Sequence, residues 1–178
     1  MGPDDRLLRR ARLRYEVGRL ARGTAIAALV IPMALMARGA CGRPATTWML
    51  AGVLAFVAAS LVWRGGAAAR GVLPGLVAGV VSLAFPLVAC PVCARAFGMP
   101  WPMAVCAAGG LASGAVVAWA SRRSVEGAPF VFAAGVVSAL AGSMGCAMLG
   151  LGGVAAMAAG LVTMAPVALA VAPPRAGS

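Results

Sequence analysis

Six apolar segments, at about 23–37, 47–63, 72–89, 103–120, 129–148 and 152–171, occupy most of this 178-residue chain. Each approaches the roughly 20 residues an α-helix needs to cross a hydrocarbon core of about 30 Å, the first being the shortest. Inside lipid, backbone N–H and C=O groups find no water, so a spanning segment must satisfy them within itself, and helix does so. The expected fold is therefore all-α: a polytopic membrane bundle of about six transmembrane helices (residues 23–172). A basic arm (1–22) precedes it and a short tail (173–178) follows. With 62% hydrophobic and only 11% charged residues, the chain has no polar surface to spare for a separate soluble domain. The weakest boundary is 148–153, MLGLGG. Without a break there, the last two segments fuse and five spans remain.

Orientation follows from the basic residues, all 15 of which are arginine. Seven precede the first segment. With Arg64, Arg70, Arg122, Arg123 and Arg175 in the alternate connections and the tail, that makes twelve on one side. Arg38, Arg43 and Arg95 make three on the other. The positive-inside rule then puts both termini in the cytoplasm. The net charge of +11 serves orientation and contact with anionic lipid, and no nucleic-acid partner is expected. The charged first 22 residues argue for a retained first helix over a cleaved signal peptide. Exclusive use of arginine beside abundant Ala and Gly fits a GC-rich bacterium, and hence a multi-pass protein of its inner (plasma) membrane.

The arm, residues 4–22, reads DDRLLRRARLRYEVGRLAR. Asp4 or Asp5 can cap a helix, and an acidic start suits its dipole. Leu13, Val17 and Leu20 share one face, and arginines cover much of the rest. The expectation is a basic amphipathic helix lying on the lipid headgroups, with a docking site for a cytoplasmic protein as the alternative.

Under this topology all five cysteines fall at the non-cytoplasmic end. Cys41 lies in the first outer loop, Cys90 and Cys93 close the third span, Cys106 opens the fourth, and Cys146 ends the fifth. Pro91 in Cys90-Pro91-Val92-Cys93 suggests that the third span stops and a short new helix begins, since proline is favoured at a first helical position. Cys90 would then cap that helix, with Cys93 close by, as in Cys-x-x-Cys redox motifs. The alternative is a third span that continues through Cys93. Met99, Met103 and Cys106 follow at helical spacing, and Met144 and Met148 flank Cys146. Thiolate and thioether groups suit Cu(I) and other soft metals, so Cys90, Cys93, Cys106, Cys146, Met99 and Met103 are the candidate ligands. No cofactor is required, and a soft metal ion is the only one the residue types favour. In an oxidising compartment the five cysteines are also disulfide candidates that would simply staple loops.

Small residues recur every fourth position at Gly71, Gly75, Gly79; at Cys106, Gly110, Gly114; and at Gly152, Ala156, Gly160. Such stripes let helices approach closely, either within one bundle or in a homo-oligomer. GVVS at 79–82 and 135–138 hints at a three-plus-three inverted repeat of the kind transporters use. Against enzymatic function, the chain has no histidine for a Ser-His-Asp or Cys-His site and no phosphate-binding Gly-Lys-Ser/Thr loop. No carboxylate lies mid-membrane to carry protons.

The layout of short cytoplasmic arm, about six helices and outward cysteines resembles that of small multi-span anti-sigma regulators. It implies a sensor whose cysteines change redox or metal state and whose arm reports to a cytoplasmic partner. Cys90 and Cys93 are also similar to the paired cysteines of membrane thiol oxidoreductases, and helix-borne cysteines occur in mercury carriers. Thiol-disulfide exchange, Cu or Hg handling, and a structural protein with stapling disulfides therefore stand as alternatives.

Overall fold

The computed structural model describes the backbone of residues 3–41, 44–96, 102–124, 126–147 and 150–171, and side chains for 12–38, 45–85, 103–124, 126–147, 150–164 and 166. The chain forms a helical bundle. Its elements are α1 (Pro3–Cys41), α2 (Pro44–Arg64), α3 (Gly66–Ala96), α4 (Pro102–Arg122), α5 (Ala128–Cys146) and α6 (Gly150–Val171). Five of the six expected segments lie within these helices, and the fifth, 129–148, overruns the end of α5 at Cys146. Five, α1 to α5, are long and apolar enough to cross a membrane. The sixth is a separate helix of 22 residues. The break before it is real: Gly150 adopts φ 67°, a left-handed conformation that ends the preceding run at little cost only because glycine lacks a Cβ. The surface is that of a protein in lipid. Phe132 and Leu151 are 73% and 89% exposed, whereas a water-soluble monomer exposes few large apolar patches.

Two helices run further than expected. α1 continues for 39 residues through Arg12–Arg22 into the first span, about 58 Å at 1.5 Å per residue. The arm is thus the projecting end of the first transmembrane helix, not a separate helix lying flat on headgroups. No proline interrupts residues 4–31, and each exposed glycine there costs at most about 1 kcal/mol of helix propensity. Likewise α3 continues through Pro91 to Ala96, which corrects the expected stop and fresh helix at that proline. Proline removes one hydrogen bond, but every other backbone group in an apolar medium still needs a helical partner, so the helix persists. Cys90 and Cys93 therefore occupy the C-terminal turns of a long helix, where the dipole opposes negative charge.

Chain direction alternates through the bundle. Gly71, Gly75 and Gly79 of α3 meet Phe130, Ala134 and Ala141 of α5 in that order, so these helices run parallel. Gly110 and Gly114 of α4 meet Met157 and Met164 of α6, a second parallel pair. α1 turns back on α2, with the Arg19 guanidinium carbon 5.1 Å from the Trp63 ring centroid. α5 is the central element: 67% of its spanning stretch is buried, against 22% for α1. The most extensive packing is of α3 on α5 and of α4 on α6. An inverted three-plus-three repeat would match α3–α5 packing with comparable α2–α6 packing, and the bundle lacks it. All three small-residue stripes carry contacts within one chain.

Candidate functional site

Helix direction brings the cysteine positions to one end of the bundle. Cys41 ends α1, Cys90 and Cys93 lie in the last turns of α3, Cys106 in the second turn of α4, and Cys146 ends α5. Among the described residues, Cys106 and Cys146 meet. Cys106 and Cys146 are each 1% exposed and pack in one cluster with Met157 of α6. Both are thiols, and their side chains are hydrogen-bonded to one another. The side chains of Cys41, Cys90 and Cys93, all of Met99, and all of Met148 lie outside the described residues.

The local reasons for this meeting are small residues. At Gly110 a Cβ would collide with the Met157 carbonyl oxygen, and at Gly160 one would collide with that of Ala107, so α4 and α6 touch backbone to backbone. That approach puts Met157 directly below Cys106. Gly142 of α5 then leaves a notch, which the Met157 side chain enters beside the Ser82 hydroxyl. Cys146 is one turn further along α5, on the face that carries this notch. Two thiols and a thioether from three helices thus converge in one buried cluster. Ser82, Ser113 and Ser143 nearby along the same helices send their hydroxyls to carbonyls three residues back, at 3.0, 2.9 and 2.7 Å. They satisfy themselves locally and do not reach for the sulfurs.

The other sulfur candidates separate from this group. Met103 is exposed at the start of α4, its methyl reaching over Gly152. Met144 is buried in the main core with Leu83 and Val137. Met157 was not singled out by sequence, because it is one of ten methionines and its position off the Gly152, Ala156, Gly160 stripe carries no signal of its own. Among the described residues, no three Cys, Asp or Glu side chains come together as a metal-binding group. Among the described residues, the sulfur groups that lie together are the two thiols and Met157.

At the opposite end, Arg70 of α3 pairs with Glu126, just before α5. Arg19 makes cation–π contacts with Tyr15 and Trp63, 5.6 Å and 5.1 Å from their ring centroids. Arg123 lies 4.0 Å over Trp119. Aromatic rings beside arginines at helix ends are the usual furniture of a membrane interface. The thiols and the arginines thus sit at opposite ends of the bundle, and α5 spans the distance.

The chain matches no known family model. It also matches no curated protein and no solved structure.

Proposed function

We propose that this protein is a sensor of a bacterial inner membrane, with both termini cytoplasmic. In this reading the Cys106–Cys146 pair is its receiver and the α1 arm its output. The observation that supports it is a hydrogen-bonded pair of buried thiols on two different helices. Such a pair has two states: two thiols, or one disulfide after an oxidant removes two electrons and two protons. Closing an S–S bond to its length of about 2.05 Å draws the ends of α4 and α5 together. α5 carries Cys146 at one end and follows Glu126 at the other, and Glu126 grips Arg70 beside the arm. A shift of this one central helix is therefore felt at α1.

The test uses the purified full chain in nanodiscs, with diamide as oxidant. Diamide takes up the two hydrogens and is reduced to the hydrazine. Mass spectrometry should find an intramolecular Cys106–Cys146 disulfide, and hydrogen exchange should change in residues 12–22. Cys106→Ser or Cys146→Ser should abolish both effects. Cys90→Ser with Cys93→Ser should leave them. An arm whose exchange is unaltered by oxidation of the wild-type pair would sink the sensor reading and favour a stapling disulfide.

Met157 supports a second reading, in which the receiver is filled by a soft ion. Two thiolates and a thioether suit Cu(I), which accepts low coordination by sulfur. Ag(I) titration distinguishes the two: about one ion per chain, lost in Cys146→Ser and weakened in Met157→Leu, would favour metal over redox sensing.

A further inference from the structure

A crevice of about 480 Å³ opens at the arginine end, between α1 and the α2–α3 turn. Its upper part is formed by Tyr15, Arg19, Arg22 and Arg70 together with Gly65 and Gly66. Its lower wall, towards the membrane centre, is Ala25, Ile26 and Val62. The turn is narrow because Gly65 and Gly66 both adopt positive φ, 74° and 69°. This lets α3 begin one residue after α2 ends, so the N–H groups of its first turn, which have no intrahelical acceptor, sit beside the arginines.

The charges here are poorly compensated. Among the described residues the only ion pair is Arg70 with Glu126, and no carboxylate pairs with Arg19 or Arg22. Arg19 makes cation–π contacts with Tyr15 and Trp63, its guanidinium carbon 5.6 Å and 5.1 Å from their ring centroids. Stacking consumes the faces of a guanidinium and leaves its N–H edge for a planar or tetrahedral oxyanion. Arg22 is exposed, one turn along α1 on the same side as Arg19. Arg19, Arg22, Tyr15 and the start of α3 therefore line one space, together with apolar Ala25, Ile26 and Val62.

We infer that this crevice binds a phosphate-bearing anion, with the phosphate between Arg19, Arg22 and the start of α3. Two sources share that chemistry: the headgroup of an anionic phospholipid and a soluble phosphate compound. The apolar lower wall and the position at the helix ends match the lipid, whose headgroup would sit at the arginines and whose first acyl carbons would lie on Ile26 and Val62. The inference is independent of the thiol reading, since it concerns the other end of the bundle and a different readout.

The experiment is native mass spectrometry of the delipidated full chain, offered phosphatidylglycerol, phosphatidylcholine or inorganic phosphate. Phosphatidylglycerol should be retained at least tenfold better than phosphatidylcholine. Arg22→Gln should bring retention down to the phosphatidylcholine level and Arg22→Lys should recover part of it. Arg122→Gln, which removes the same charge outside the crevice, should leave retention unchanged. Arg22 is exposed, so its variants are expected to fold, and an unaltered size-exclusion profile checks this. Displacement of the lipid by micromolar inorganic phosphate would support the site and assign it to a soluble compound. Equal retention of both lipids with no phosphate binding, or equal losses in Arg22→Gln and Arg122→Gln, would overturn the site.

Discussion

A Cβ at Gly75 would stand 2.7 Å from the Ala134 carbonyl oxygen and 2.9 Å from its Cα. Neither atom can move without moving α5, so a larger residue must separate the helices. Overpacking of this kind costs about 1–3 kcal/mol. Gly75→Leu should lower the unfolding midpoint in detergent, whereas Gly52→Ala, with nothing within 4 Å, should be neutral or stabilising by less than about 1 kcal/mol. The thiols make a second prediction at this scale. Cys106 and Cys146 are buried, so a membrane-permeant maleimide should label them slowly in native membranes and fully after SDS; rapid native labelling would contradict the packing. Sequence drew attention to Cys90-Pro91-Val92-Cys93 because short spacing is easy to see. Cys106 and Cys146, which meet, are forty positions apart in number, and they meet because Gly110, Gly142 and Gly160 bring α4, α5 and α6 together. The stripes containing Gly110 and Gly160 were visible, but nothing in the residues announced which helix each would face.

α5 joins the two ends of the molecule, and the Glu126–Arg70 pair is its hold on α3. Arg70 is largely exposed and Glu126 mostly buried, so the pair contributes no more than about 1 kcal/mol to stability. Its expected role is positional. Glu126→Gln and Arg70→Gln should each raise hydrogen exchange in residues 12–22 while the unfolding midpoint moves little, and the double variant should do no more than either single. Additive effects would mean that the two side chains act separately. Hydrophobic segments were read correctly because period and length alone decide whether a stretch can cross lipid. Helix ends were harder. Arg9 to Arg22 look like a surface arm by composition, yet α1 incorporates them, and Pro91 looks like a stop, yet α3 passes through it. For α3 the missing information is the medium, since lipid gives the backbone no partner but itself; for α1 it is that no proline separates the arm from the span.

For the molecule as a whole, the split of the arginines among the connecting segments, twelve against three, predicts which end faces the cytoplasm. Alkaline phosphatase fused at the C-terminus should be inactive, and fused between α3 and α4 it should be active; the reverse pattern would invert the orientation and put the thiols inside. The path of the chain was only partly readable beforehand. Alternation of direction follows from successive helices joined by short connections, but the parallel pairing of α3 with α5 and α4 with α6 depends on which faces fit, and a stripe of small residues does not name its partner. That interleaving bears on how the protein is made. Helices leave the ribosome in order, and a bundle of nested hairpins could close each pair as it emerged. Here α3 and α4 must wait in the bilayer, with Gly71, Gly75, Gly110 and Gly114 facing lipid, until α5 and α6 arrive to cover them. Biogenesis therefore has a late step in which two partners pack onto two already inserted helices, and a chain truncated before residue 128 would remain an unfinished intermediate for membrane proteases to find.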